Sequence, residues 1–568
     1  MKTFVILICG LLLSCGIDSI NATHHNETVE VNVSCDLGRV RGSEMTSRLG
    51  RKIYAFRGVR YAEPPVDDLR FKTPVPVKPW TVTFDATQEG PMCPQPKDPN
   101  RNDPMSEDCL RLNIYTTQIP TRRGPLKPVV VFFHPGGFYV YSGQSLMWGP
   151  EYFLDKDIVL VTVNYRLASL GFMSTGDEYA PGNLGLKDQV IALRFIRDNI
   201  ASFGGDPNSV TITGYSAGAW SVSAHLVSPM SQGLFHRAIS MSGAITFQTY
   251  LPSHQKHLAE KQARFLNCST ESSKAIIDCL KTKPAQEIAN TLSKFAEWYG
   301  DPILIWRPVV EPDLPGLERF MPAQPVDLIR QRKFAQVPFI TGVTKDEFGG
   351  VLAGAIEEGE KGNTAIFEEY TANWTKIAPI SFAYDRDTPR SLEISREFKR
   401  FYLNDEPVSL KNIKGVEQLY ADSAIIFSVH RLANLISQYS SQPVYYYKFT
   451  YQGRFSFYTY SNKTAFGVCH HDDLQYLFFI KALFPFFDSN APEVPMVEKM
   501  TSMWANFAYT GQPIPQDKKE FAGVSWTPLT PENKAYMEID SEMTMKRGLY
   551  QDRMEEWEKL FPLAPVPK

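Results

Sequence analysis

The 568-residue chain has almost no charge imbalance, 59 basic against 62 acidic residues, and no basic run. It therefore lacks the electrostatic footprint of a nucleic-acid binder. It also lacks internal repeats, low-complexity segments and Gly/Ser linkers, so nothing divides it into an array or a string of modules. No apolar run is long enough to cross a bilayer. The final stretch, Leu560 to Lys568, carries neither a lipid-anchor tail nor a retention signal.

What is present is the composition of a globular protein with a sizeable core, 43% apolar and 12% aromatic. A single large domain over residues 20–568 is expected. Ahead of it, Lys2 precedes the short apolar run TFVILICGLLLSC, and small residues follow at Ser14, Gly16, Ser19 and Ala22. This reads as a cleavable secretory signal over residues 1–19, cut between positions 16 and 22, and predicts an extracellular protein without a membrane anchor. Secretion changes how other residues are read. Cys35, Cys93, Cys109, Cys268, Cys279 and Cys469 become disulfide candidates. Asn26, Asn32, Asn373 and Asn462 become expected glycosylation sites. Asn21 lies beside the cut, and the sequon of Asn267 has a cysteine in its middle position.

The chemistry begins at SVTITGYSAGAWSVSAHLV, Ser209 to Val227. Val210 to Thr213 are β-branched, as in a short buried strand, and the residues after Gly218 read as a helix. Between them Gly214-Tyr215-Ser216-Ala217-Gly218 is a G-x-S-x-G. A strand that turns straight into a helix strains its corner residue, and side chains two positions away would clash there, hence glycine. Ser216 is thus the candidate nucleophile.

Other runs supply its surroundings. PVVVFFHPGG and DIVLVTVNYRL are continuous apolar runs of strand length, as for strands buried on both faces. DQVIALRFIRDNIASFGG reads as a surface helix with Val190, Leu193, Ile196 and Ile200 on one face and Gly204 as its stop. RAISMSG, PFITGVT and PVYYYKFTY are further strands, with helical segments such as AIIFSVHRLANLISQY between them. This alternation predicts an α/β fold, a mostly parallel sheet with helices on both faces and function at the carboxyl ends of its strands. His134-Pro135-Gly136-Gly137-Phe138 directly follows one strand. The N–H groups of Gly136, Gly137 and Ala217 are candidate oxyanion donors. For the acid, Asp346 and Glu347 sit together past a strand end. For the base, His470 and His471 sit together in a Gly-led loop, and the residues alone do not choose within either pair. Adjacent histidines without a second ligand cluster argue against a metal site.

These motifs carry a resemblance. RKIYAFRGVRYAEPP, EDCLRLNIYT, HPGGF, NYRLASLGF, GNLGLKDQ, FGGDPNSVTITGYSAGA, GVTKDE and GVCHHDDLQYLF occur in the order found in type-B carboxylesterases of the cholinesterase/carboxylesterase family. The chain most resembles the secreted insect esterases known from aphids. The resemblance implies the α/β-hydrolase fold and a serine esterase that needs no cofactor. It assigns Ser216 as nucleophile, Glu347 as acid and His470 as base. It also implies disulfides Cys93–Cys109 and Cys268–Cys279, leaving Cys35 and Cys469 free, and reaction with organophosphates and carbamates. The expected partner is a small, uncharged ester. Two positions depart from the family pattern: Pro135 replaces the first glycine of the oxyanion loop, and Tyr215 stands where an acidic residue often precedes the nucleophile. A juvenile hormone esterase is the alternative reading. An acetylcholinesterase fits poorly, because the loop from Cys93 to Cys109 has no aromatic residue to face a quaternary ammonium. A non-catalytic adhesion relative would lack triad members that this chain has.

Overall fold

The computed structural model describes residues 31–98, 102–120, 124–462, 464–521 and 523–565. The expected signal segment and the sequons at Asn21 and Asn26 lie outside the described residues.

The chain order of strands is β1 (Val31–Cys35), β2 (Gly38–Thr46), β3 (Lys52–Arg60), β4 (Phe84–Asp85), β5 (Arg111–Thr116), β6 (Lys127–Phe133) and β7 (Val159–Val163). Then follow β8 (Gly205–Tyr215), β9 (Arg237–Met241), β10 (Phe339–Thr344), β11 (Val444–Phe449), β12 (Ala535–Ile539) and β13 (Thr544–Arg547). They form one sheet in the order β1-β2-β3-β5-β7-β6-β8-β9-β10-β11-β12-β13, with β4 beside β2. Every neighbouring pair from β7-β6 through β11-β12 is parallel, and the two ends of the sheet are antiparallel.

The continuous apolar runs are explained by what lies on each face. Along β6, Val129, Val131 and Phe133 enter one hydrophobic cluster, and Val130 and Phe132 enter the other. β7 does the same, with Val159, Val161 and Val163 on one side and Leu160 on the other. Side chains alternate with period two, so a strand covered on both faces must be apolar at every position. One cover is formed by helices α1 (Leu184–Asn199), α2 (Ala217–Val227) and α3 (Phe427–Tyr439), whose apolar residues join the first cluster. Helix α4 (Val494–Thr510) supplies Met496, Met500, Met503 and Trp504 to the second.

Two expectations change. β8 begins at Gly205, well before the β-branched run, because Lys127 of β6 pairs with Gly205. Helix α1 is not a surface helix: of its residues only Arg194, Arg197 and Asp198 escape burial. Its polar positions are buried in pairs instead. Lys187 Nζ lies 2.6 Å from Glu311, and Asp188 takes a bidentate guanidinium from Arg166, the shorter contact being 2.6 Å. Burial of such charges is tolerated only with partners of this quality. Gly204 does stop this segment, at φ +86°, after a 3-10 turn over Ile200–Phe203.

Candidate active site

Strand order decides which loops meet. β8 lies between β6 and β9, and β10 and β11 follow in turn, so the carboxyl ends of these strands open onto one region. Ser216 is the residue directly after β8. Its φ and ψ are +53° and −117°, a strained corner for a residue with a side chain. The strain is held by the neighbours. Its N–H donates to Met241 O at 3.0 Å, its carbonyl accepts from Trp220 N at 2.8 Å, and α2 starts at once.

The flanking glycines are required by contact. A Cβ on Gly218 would lie 1.9 Å from Phe133 O at the tip of β6, and one on Gly214 would lie 2.2 Å from Gly218 O. The helix that follows Ser216 can therefore pack against the end of β6 only without those side chains. That packing also sets the His134–Gly137 loop beside Ser216. Gly136 adopts φ +114°, and a Cβ there would lie 2.2 Å from Val140 O. Among the described residues none accepts a hydrogen bond from the N–H groups of Gly136, Gly137 or Ala217. Pro135, the departure from the family pattern, donates nothing itself. Its carbonyl is 2.8 Å from His134 Nδ1, the His134 carbonyl accepts the Tyr165 hydroxyl at 2.7 Å, and the two rings stack at 4.4 Å. Burial lowers His134 to about 4, so the ring is neutral, with its proton on Nδ1 for the Pro135 carbonyl.

The two carboxylates past β10 point to different tasks. Asp346 is structural: its N–H donates to Val468 O at 2.9 Å and its Oδ2 accepts from Val468 N at 3.0 Å. It stitches the β10 loop to the histidine loop. Glu347 is buried, accepts Thr344 N–H on Oε1 at 2.8 Å and holds His470 Nδ1 on Oε2 at 2.5 Å. Phe348 stacks on the imidazole, centroids 4.9 Å apart. His470 Nε2 is buried and has no hydrogen-bond partner among the described residues. His471 is turned differently, at φ +81°, and its N–H donates to the Tyr215 hydroxyl at 2.8 Å.

Burial governs the charges here. It raises the Glu347 carboxyl to about 7 and lowers the His470 imidazole to about 3, because each charged form is removed from water. The imidazole therefore rests neutral. Its Nδ1–H is directed at Glu347 and its Nε2 lone pair is free to accept a proton.

Sequence reasoning passed over the supports of this arrangement. Tyr215 is wholly buried, its ring 5.0 Å from that of His470, so the residue before Ser216 touches the histidine loop directly. Asp472 folds that loop by accepting Cys469 N–H, Phe457 N–H and the Ser456 hydroxyl at 2.7–2.8 Å. Asp473 accepts the Tyr447 hydroxyl at 3.2 Å. The HHDD cluster was the available signal, and a pair of buried aspartates is costly enough to require partners of this kind. His225, farther along α2, bridges Ser231 and Gln189 inside the core.

Disulfides join Cys93 to Cys109 and Cys268 to Cys279, with Cα separations of 5.0 and 5.7 Å. Cys35 and Cys469 are free thiols. Asn32, Asn373 and Asn462 are exposed. No helix among the described residues is long and apolar enough to cross a membrane.

A serine at a strand-to-helix elbow on a mostly parallel, doubly covered sheet defines an α/β hydrolase. The solved structure of juvenile hormone esterase from Manduca sexta, with OTFP covalently attached, superposes with a TM-score of 0.82 and 28% identity, over 94% of this chain and 100% of that one. The chain belongs to the carboxylesterase family, whose model matches residues 27–557. Esterase FE4 of Myzus persicae is 35% identical over 533 residues, 92% of this chain and 91% of the relative. Juvenile hormone esterase of Tribolium castaneum is 37% identical over 501 residues, 84% of this chain and 83% of the relative. The protein is a carboxylic ester hydrolase.

Proposed function

We propose that the protein is a secreted serine carboxylesterase for uncharged esters, and that Ser216, His470 and Glu347 carry the reaction. The observation that supports this most is the buried pair of His470 and Glu347, 2.5 Å apart, with Nε2 left unpartnered in the fold region that holds the Ser216 elbow. Ser216 Oγ attacks the ester carbonyl while His470 Nε2 takes its proton, and Glu347 fixes the tautomer and stabilises the imidazolium. The N–H groups of Gly136, Gly137 and Ala217 receive the tetrahedral oxyanion, and each such donor is worth about 2.7–4 kcal/mol. His470 then protonates the departing alcohol, and water repeats the sequence on the acyl-enzyme. Organophosphates and carbamates react at the same oxygen. The expected consequence is direct. Ser216→Ala leaves the fold intact and lowers kcat on a short aryl ester by roughly 10⁴-fold. A folded variant that keeps more than about a tenth of the activity removes Ser216 from the mechanism.

The preference for uncharged alcohol groups rests on Tyr215, which burial keeps neutral by raising its hydroxyl well above the ordinary value. A second reading, a juvenile hormone ester as the particular substrate, is favoured by two relatives that carry that activity in their names. A screen of purified protein across acyl and alcohol lengths, with juvenile hormone included, separates the two.

A further inference from the structure

A cavity of about 450 Å³ lies between α3, β11 and the C-terminal helix Gln551–Leu560, and its lining shares no residue with the surroundings of Ser216. Leu529, Leu549 and Met554 make its apolar wall. The volume falls in the range of roughly 300–1,000 Å³ typical of small-molecule sites.

The wall carries both donors and acceptors, and they differ in which of them already have partners. Asn434 Nδ2 contacts the His430 carbonyl at 2.8 Å and His430 Nε2 at 3.1 Å. The carbonyl contact fixes which end of the amide is nitrogen, so its second hydrogen must point at Nε2, which accepts it. The His430 proton therefore sits on Nδ1, and this buried N–H has no acceptor among the described residues. Burial, with Arg431 and Lys534 nearby, lowers this imidazole to about 4, so at neutral pH it stays neutral and keeps its single proton. The Tyr446 hydroxyl is in the same condition: the residue is 3% exposed, and its oxygen is buried without a partner. Lys534 adds an ammonium that forms no ion pair among the described residues. The acids of the rim are already engaged, Glu558 by Arg431 at 3.1 Å and Glu555 by the Gln551 amide at 2.7 Å. Lys559, the other rim cation, pairs with Glu556 at 3.3 Å.

Two buried donors without acceptors and a free cation, set in an apolar wall, call for a ligand with an anionic acceptor head and an aliphatic body. We infer that this cavity is a second binding site, distinct from the ester site, for an aliphatic carboxylate of medium chain length. His430, Tyr446 and Lys534 hold the head, and Leu529, Leu549 and Met554 cover the chain.

The test is calorimetric titration of decanoate into the full-length Ser216→Ala protein, alongside decanol as the probe with the same chain and no charge. The expected result is saturable binding of one decanoate, with decanol weaker by at least about tenfold. Tyr446→Phe and Lys534→Ala, each made in that background, should weaken decanoate by about tenfold. In otherwise native enzyme both should leave ester turnover unchanged. Tyr446→Phe removes only an unpartnered hydroxyl, and Lys534 is exposed, so at least one variant reports on a folded protein. Absence of saturable binding, equal affinity for decanol, or affinity untouched by both substitutions overturns the assignment.

Discussion

Replacing Glu347 by glutamine tests the catalytic reading through hydrogen-bond bookkeeping alone. Glutamine has nearly the same shape, but one of its two terminal atoms must now be an NH₂. Thr344 N–H is 2.8 Å from one oxygen and His470 Nδ1 is 2.5 Å from the other. The amide oxygen has to face the Thr344 N–H, since an NH₂ there would oppose a donor with a donor. The NH₂ is then forced onto His470 Nδ1, which must become an acceptor, and the imidazole proton moves to Nε2. A protonated Nε2 cannot take the Ser216 proton. Wrong-tautomer substitutions of this kind lower kcat by about 10⁴, or about 5 kcal/mol of transition-state stabilisation. Stability should hold, because a buried carboxyl is exchanged for a neutral amide that keeps both hydrogen bonds. The assay is kcat on a short aryl ester near pH 8, with the thermal midpoint measured on the same preparation. A folded Glu347→Gln protein within about tenfold of the parent kcat would refute the reasoning.

Two further outcomes follow. Because burial raises Glu347 to about 7 and lowers His470 to about 3, the pair takes up one additional proton below about pH 7, and in that state it is a poor base. Activity should therefore rise with pH through a one-proton limb near 7, and in Glu347→Gln the limb of the residual activity should move well below the ordinary histidine value of about 6.5. A limb that does not move in the variant contradicts the assignment to the pair. Tyr215 offers a cation no charge, and the Cys93–Cys109 loop offers no aromatic face. kcat/KM for 3,3-dimethylbutyl butyrate should thus equal or exceed that for butyrylcholine, and a tenfold preference for the choline ester, about 1.4 kcal/mol, defeats the uncharged-ester reading.

What the sequence disclosed, and what it withheld, follows from range. The strands β6, β7 and β8 and the elbow at Ser216 were legible because their causes are local: period-two burial on both faces, and glycines where a Cβ would strike Phe133 O or Gly218 O. The choice between Asp346 and Glu347 was not local. Neighbouring carboxylates look alike until the fold brings Val468 to one and His470 to the other. The same holds for α1, read as a surface helix from the single apolar face of Val190, Leu193, Ile196 and Ile200, although its Lys187 and Asp188 are buried. Their partners Glu311 and Arg166 lie in other segments, and only the assembled fold shows them paired in the interior. Tyr215 is a further case of the same kind. In the sequence it shows only as a neutral residue where an acidic one often stands, and only the fold reveals that its hydroxyl takes the His471 N–H and that its side chain is wholly buried.

The central claim, that Ser216 is the nucleophile, is tested most directly by covalent trapping. The purified protein is treated with a stoichiometric organophosphate, and the adduct is located by peptide mass spectrometry. A single phosphyl group is expected on the peptide containing Gly214-Tyr215-Ser216-Ala217-Gly218, assigned to Ser216, appearing in step with loss of esterase activity and absent from Ser216→Ala. An adduct on another residue that accompanies inactivation, or full inactivation with Ser216 unmodified, would contradict it.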